Sequence, residues 1–173
     1  MKYYSGFSLS NDKQLFDSYI KDSEFTVCGF SYGAIKAFDE VLNSKARVDT
    51  LQLFSPAFFQ DKSEKFKRMQ MMYLAKDKKA YLNNFLSSCF LPAEVDDSVI
   101  LEEGGEEDLR ELLYHVWKVD EIKALNDRGV EIEVYLGSED KIIDPLKAKA
   151  FFLPYATTYI INHAGHTLKT KEI

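Results

Sequence analysis

The chain of 173 residues is 46% hydrophobic and 14% aromatic, enough to bury one substantial core and too short for two ordinary domains. Its formal net charge of −6 supplies no chain-wide basic footprint, so no nucleic-acid partner is expected. No apolar run approaches a membrane span, and the opening Met1-Lys2-Tyr3-Tyr4-Ser5-Gly6 is not a charged-then-apolar leader, so a cytoplasmic protein without a membrane contact is expected.

Apolar runs alternate with amphipathic helical patterns, which predicts an α/β fold: a mostly parallel sheet of about five strands, covered by helices on both faces, in a single domain spanning 1–173. The first strand is expected over Lys2 to Tyr4, and a helix over Asn11 to Ile20 with Asn11 as its N-cap. A strand at Phe25 to Cys28 and a helix at Tyr32 to Leu42 follow, then a strand at Thr50 to Phe54. From residue 60 to about 105 the alternation stops, and this stretch is expected to form a small helical lid. Beyond it the pattern predicts a helix over Glu106 to Asn126, preceded by a solvated acidic loop, and a strand over Glu131 to Leu136. Last come a helix over Pro145 to Leu153, capped by Asp144, and a strand over Thr158 to Ile161. Cys28 and Cys89 are expected as free thiols, as a cytoplasmic setting implies.

Gly29-Phe30-Ser31-Tyr32-Gly33 joins the second strand to the following helix. A serine between two glycines at a strand-to-helix turn is the pattern of a nucleophile elbow, in which only small flanking residues let the backbone close so tightly. An acid, Asp140, follows the fourth strand, and a histidine, His166, follows the fifth. Ser, Asp and His in this order match the α/β-hydrolase arrangement, in which Ser31 attacks an acyl carbon, His166 moves the proton and Asp140 orients the imidazole. The tetrahedral oxyanion then needs two donors: the backbone N-H of Tyr32, next to the nucleophile, and that of Phe7 in the Ser5-Gly6-Phe7 loop. Ser5-Gly6 also suits an ordinary loop. Asp144 and Glu139 compete with Asp140, but Asp144 already has a role as a helix cap. His163 and His115 read as local packing residues. No spacing suits a metal or a nucleotide cofactor, and none is expected.

The lid stretch is unlike the rest of the chain in charge. From Asp61 to Lys79 it holds Lys62, Lys65, Lys67, Arg68, Lys76, Lys78 and Lys79 against Asp61, Glu64 and Asp77, a surplus of four positive charges in an otherwise acidic chain. Such a patch suits an acidic partner, although a helix face of mixed, solvated charge has the same composition. Phe66, Met69, Met72, Tyr73 and Leu74 recur at helical spacing, so one face is expected to cover an apolar passage.

The elbow with its following Ala34-Ile35-Lys36-Ala37, the opening Tyr3-Tyr4-Ser5-Gly6-Phe7, and Leu51-Gln52-Leu53-Phe54-Ser55-Pro56-Ala57-Phe58-Phe59 together resemble the short pimeloyl-acyl-carrier-protein methyl ester esterases of biotin synthesis, the BioV type of the α/β-hydrolase superfamily. The resemblance runs over nearly the whole chain, strongest in the first seventy residues. Gly137-Ser138-Glu139-Asp140 and Ala164-Gly165-His166 look like the superfamily's acid and histidine loops, whereas Ser5-Gly6 stands where His-Gly is usual. The resemblance implies a minimal α/β-hydrolase fold and hydrolysis of the terminal methyl ester of a pimeloyl chain. The partner implied is acyl carrier protein, docking on Lys62, Lys65, Lys67 and Arg68, and a monomer is the default expectation. A general carboxylesterase, an acyl thioesterase and a non-catalytic binding protein on the same fold are the alternatives.

Overall fold

The alternation of strand and helix patterns becomes one parallel sheet in the structure, a computed structural model that describes residues 1–171. In chain order the elements are β1 (Lys2–Tyr4), β2 (Leu9–Ser10), a 3-10 turn (Lys13–Phe16), β3 (Thr26–Phe30), α1 (Tyr32–Asn43), β4 (Thr50–Phe54), α2 (Glu64–Lys76), α3 (Lys78–Phe90), β5 (Ile100–Leu101), α4 (Glu106–Tyr114), α5 (Val119–Asp127), β6 (Glu131–Gly137), α6 (Pro145–Phe152) and β7 (Thr157–Ile161). The main sheet has the order β1-β3-β4-β6-β7, all parallel, with Val27 opposite Lys2 and Leu51, and Val134 opposite Leu53 and Thr158. Every residue of β3 and β4 is buried, as expected for central strands of a parallel sheet.

The crossovers after β3 all step the sheet in one direction. Right-handed crossovers of that kind must lay their helices on the same face. Val27, Leu51, Leu53, Ile132 and Val134 accordingly form one buried cluster with Ile35 and Phe38 of α1, Leu125 of α5 and Phe152 of α6. The opposite face carries Cys28, Phe30, Phe54 and Tyr135, and meets Leu15, Phe16, Phe90 and Leu168 instead. Helices thus cover one face fully, while the other is closed by a short turn, the end of α3 and the C-terminal loop.

Two expected helices differ in extent. The helix expected over Asn11 to Ile20 is only the 3-10 turn Lys13–Phe16: Asn11 takes a left-handed φ of 61° and caps nothing, and the Asp12 side chain turns away from the turn to the backbone N-H of Gly6. The helix expected over Glu106 to Asn126 is broken into α4 and α5. Trp117 breaks it, because its indole N-H donates to the Ala57 carbonyl at 2.9 Å and its buried ring packs edge-on against Phe38 and Phe152, drawing the chain off the helix axis. A two-stranded antiparallel ribbon, β2 with β5, has no counterpart in the sequence reading.

The stretch expected as a lid forms the helix pair α2 and α3. The Ser63 side chain accepts from Phe66 N-H at α2, and Asp77 both ends α2 and caps α3, accepting from Ala80 N-H at 3.0 Å. The expected apolar stripe of α2 divides. Leu74 is buried and Phe66 half-buried, whereas Met69, Met72 and Tyr73 point to solvent, Met72 at 65% exposure. No helix among the described residues is long and apolar enough to cross a membrane. Cys28 and Cys89 are buried free thiols, and burial pushes the Cys28 thiol up to about 11.

Candidate active site

The turn from β3 into α1 puts Ser31 at φ 54° and ψ −113°, a backbone strain tolerated only where the surroundings enforce it. They do so here. Ser31 N-H donates to the Phe54 carbonyl at 2.9 Å, and its carbonyl accepts from Ala34 and Ala57 N-H at 3.1 Å each. A Cβ on Gly29 would overlap the Gly33 carbonyl, and one on Gly33 would overlap the Tyr4 carbonyl, so both flanking positions require glycine.

The loops after β6 and β7 bring an acid and an imidazole to this serine. His166 Nε2 lies 2.9 Å from Ser31 Oγ, and His166 Nδ1 lies 2.6 Å from Asp140 Oδ2. A carboxylate can only accept, so Nδ1 carries the imidazole proton and Nε2 is left to accept from the Ser31 hydroxyl. The other oxygen of Asp140, Oδ1, accepts from the backbone N-H groups of Ile142 at 2.7 Å and Ile143 at 3.0 Å, which fixes the carboxylate's orientation. The side chains of Asp140 and His166 are fully buried, and Ser31 is only 4% exposed. Ser31, Asp140 and His166 are therefore brought together as one hydrogen-bonded chain.

The competing residues lie elsewhere. Asp144 caps α6, accepting from the N-H groups of Leu146 and Lys147, and Glu139 meets the exposed His163 at 3.1 Å. His115 stacks edge-on against Trp117, and burial lowers its pKa.

Tyr32 directly follows the nucleophile, and the Tyr4 and Ser5 carbonyls of the segment leading to Phe7 lie against Gly33; among the described residues neither the Phe7 nor the Tyr32 backbone N-H has a hydrogen-bond partner. The Tyr32 phenol, by contrast, is held on α4, 3.1 Å from Asp108 Oδ1 and 2.5 Å from Glu111 Oε2, and burial with these two carboxylates pushes its pKa well up. A groove of about 620 Å³ runs between α2, α3 and α4, walled by Phe59, Phe66, Tyr73, Tyr81, Phe85 and Leu112. Of these, Phe85 packs edge-on against Phe7, and the groove also includes Ile142, whose N-H donates to Asp140. Ser31 and His166 do not themselves line this groove, which nears the site's loops only through Phe85 and Ile142; its largely apolar walls can receive an acyl chain.

Of the four basic residues expected to dock a partner, Lys65 and Arg68 are exposed, and Lys62 is half-buried beside Asp61 at 3.4 Å. Lys67 is a correction. It is 7% exposed, with its ammonium over the Tyr114 ring at 5.0 Å, because its position on α2 faces α4 rather than solvent. Sequence reasoning missed Asp12, which holds the loop carrying Phe7, and the tie between Tyr32 and α4; neither has a spacing signature. Among the described residues no three His, Cys, Asp or Glu side chains are grouped to hold a metal ion.

No protein-family model matches the sequence, and no curated protein matches it. Solved structures do match. An esterase from Exiguobacterium antarcticum superimposes with a TM-score of 0.59 at 16% identity, over 82% of this chain and 59% of the esterase. Naproxen esterase from Bacillus subtilis gives 0.55 at 19% identity, over 83% and 53%, and a bromoperoxidase from Bacillus anthracis 0.58 at 15%, over 83% and 60%. The chain spans a little more than half the length of these structures. Likeness at such identities speaks to architecture alone, and with the sheet order and elbow above it shows that this chain has an α/β-hydrolase fold reduced to five parallel strands.

Proposed function

We propose that this chain is a serine carboxylesterase that hydrolyses the terminal methyl ester of a pimeloyl chain carried as a thioester on acyl carrier protein. The observation that carries the esterase reading is the Ser31, His166 and Asp140 chain, at 2.9 and 2.6 Å, and the Phe7 and Tyr32 N-H groups, without a partner among the described residues, support it. The resemblance stated above supplies the substrate, and the apolar groove and the exposed Lys65 and Arg68 are compatible with it.

In this reading Ser31 Oγ attacks the ester carbonyl carbon while His166 Nε2 takes its proton. The Phe7 and Tyr32 N-H groups hold the oxyanion, each contributing on the order of 10²–10³ in rate. Collapse of the tetrahedral intermediate breaks the bond to the methoxy oxygen, which leaves as methanol with the proton from His166. Water, deprotonated by His166, then attacks the acyl-serine, and release of the carboxylate returns the proton to Ser31. Asp140 keeps the imidazole in the required tautomer throughout.

The test is incubation with pimeloyl-acyl-carrier-protein methyl ester, followed by intact-protein mass spectrometry, with Ser31→Ala alongside. Loss of one methylene mass from the carrier-bound chain with wild type alone is the expected result. Loss of the whole acyl group would make the protein a thioesterase. Turnover of simple esters only would leave a general carboxylesterase.

A further inference from the structure

Asp12 is fully buried and, among the described residues, pairs with no cation. A carboxylate in that position is costly unless it does something a neutral side chain would not. Its Oδ2 accepts from the Gly6 N-H at 2.9 Å and from the Tyr3 hydroxyl at 3.0 Å, while Oδ1 has no partner. It caps no helix, since the 3-10 turn that follows receives nothing from its side chain. Among the described residues, the main-chain group its carboxylate binds belongs to the loop that carries Phe7.

The consequence follows from peptide geometry. Asp12 fixes the peptide before Gly6 by its N-H, and Leu9 N-H fixes the peptide after Gly6 by donating to the Gly6 carbonyl at 3.2 Å. In a trans peptide the N-H points opposite to the carbonyl. With the Gly6 carbonyl turned to Leu9, the Phe7 N-H must face the other way, and it is this N-H that has no partner among the described residues. Tyr3, on β1, ties the carboxylate to the sheet that also carries Ser31 through β3. Burial and Asp12 together push the Tyr3 phenol far up, so it stays a donor.

We infer that Asp12 is a positioning residue of the oxyanion loop, holding the Gly6 peptide so that the Phe7 N-H is aimed at the carbonyl oxygen of a substrate on Ser31. This rests on the esterase reading above. A positioning role through an accepted hydrogen bond predicts that an amide replaces the carboxylate and a methyl does not, because Asn keeps an acceptor oxygen and puts its NH2 where Oδ1 had no partner.

The experiment compares Asp12→Ala, Asp12→Asn and Ser31→Ala with wild type in steady-state turnover of a simple methyl ester and in amide hydrogen exchange over residues 5–10. Asp12→Ala is expected to lower kcat by about 10²-fold, the scale of one lost oxyanion donor, with KM within about threefold and faster exchange in the loop. Asp12→Asn should recover most of both. Unchanged kcat in Asp12→Ala, or an equal loss in both variants, overturns the inference. If Asp12→Ala does not fold, Tyr3→Phe, which leaves the carboxylate with Gly6 alone, should lower kcat severalfold at constant KM, and no change there overturns it too. Wild type no faster than Ser31→Ala would sink the esterase reading alone. Exchange then decides for Asp12, and an unaltered loop in Asp12→Ala would end its positioning role.

Discussion

Asp140 divides its oxygens between His166 and two backbone donors, so the charge and the orientation of the carboxylate can be tested separately. Asp140→Asn keeps an oxygen for the Ile142 and Ile143 N-H groups and turns an NH2 toward His166 Nδ1. The imidazole must then move its proton to Nε2, where it faces Ser31 and cannot accept from the hydroxyl. A fall in kcat of about 10⁴-fold is expected, with a melting temperature close to that of wild type. A fall below about tenfold would show that another group orients His166. Tyr32 offers a second test at this scale. Its phenol lies against Asp108 and Glu111 of α4, whose Leu112 walls the acyl groove, so Tyr32→Phe should loosen α4 from the elbow, and steady-state turnover should show kcat reduced severalfold with a rise in KM. Ser31, Asp140 and His166 were legible in the sequence because each follows an apolar strand run and a glycine, a local pattern with a physical cause. Asp12 was not, because its partner is a backbone N-H in a loop, and a buried carboxylate has no periodicity that distinguishes it from a turn residue.

At the scale of elements, the strands were legible and their surroundings less so. Five runs with strand composition became β1, β3, β4, β6 and β7 within a residue or two of their expected bounds. The unequal cover of the two sheet faces was hidden, since it depends on the direction of every crossover and on a helix that shrinks to one turn. Under the thinly covered face lies a polar network in place of a packed helix. Glu133 is 3% exposed and meets Lys21 at 2.6 Å, while Gln52 and Tyr135 donate to it at 2.8 Å each. Burial alone raises the Glu133 pKa, but Lys21, Tyr135 and Gln52 outweigh it and the net direction is down. A carboxyl with a depressed folded value stabilises the fold above its unfolded value, about 4.3, and loses that contribution as pH falls through the folded value. Lys21 shifts upward, chiefly through its hydrogen bonds to Glu133 and Glu131, so its share persists up to about pH 10 and disappears above it. Lys21→Ala should therefore cost about 1 kcal/mol between these limits, the low end for a charged hydrogen bond because the lysine is half exposed. Urea unfolding at neutral pH should show the difference, and the difference should shrink as pH is lowered through the carboxylate range.

At the scale of the whole molecule, the uneven charge is the feature that sequence and structure share. The chain carries −6, yet the stretch from Asp61 to Lys79 carries a surplus of four positive charges. Composition counted these charges but did not orient them. Lys67 turns inward and Lys62 sits against Asp61, while Lys65, Arg68, Lys76, Lys78 and Lys79 remain exposed. Met69, Met72 and Tyr73 are exposed on α2 with Lys65 and Arg68, so this helix joins apolar area to positive charge in the way a docking surface for an acidic helical protein requires. A carrier protein held there would deliver its acyl arm to the groove between α2, α3 and α4. Lys65→Glu with Arg68→Glu should therefore raise KM for the carrier-bound ester by about tenfold at low ionic strength, because reversing rim charges acts mainly on encounter. Raising the salt should shrink that difference, since screening shortens from about 10 Å at 0.1 M to about 3 Å at 1 M. A short methyl ester with no carrier separates this effect from damage to the site: its turnover should match wild type in the same variant. Equal slowing of both substrates, or a KM difference that salt leaves untouched, would place the carrier on another face and return α2 to the role of a cover over the groove.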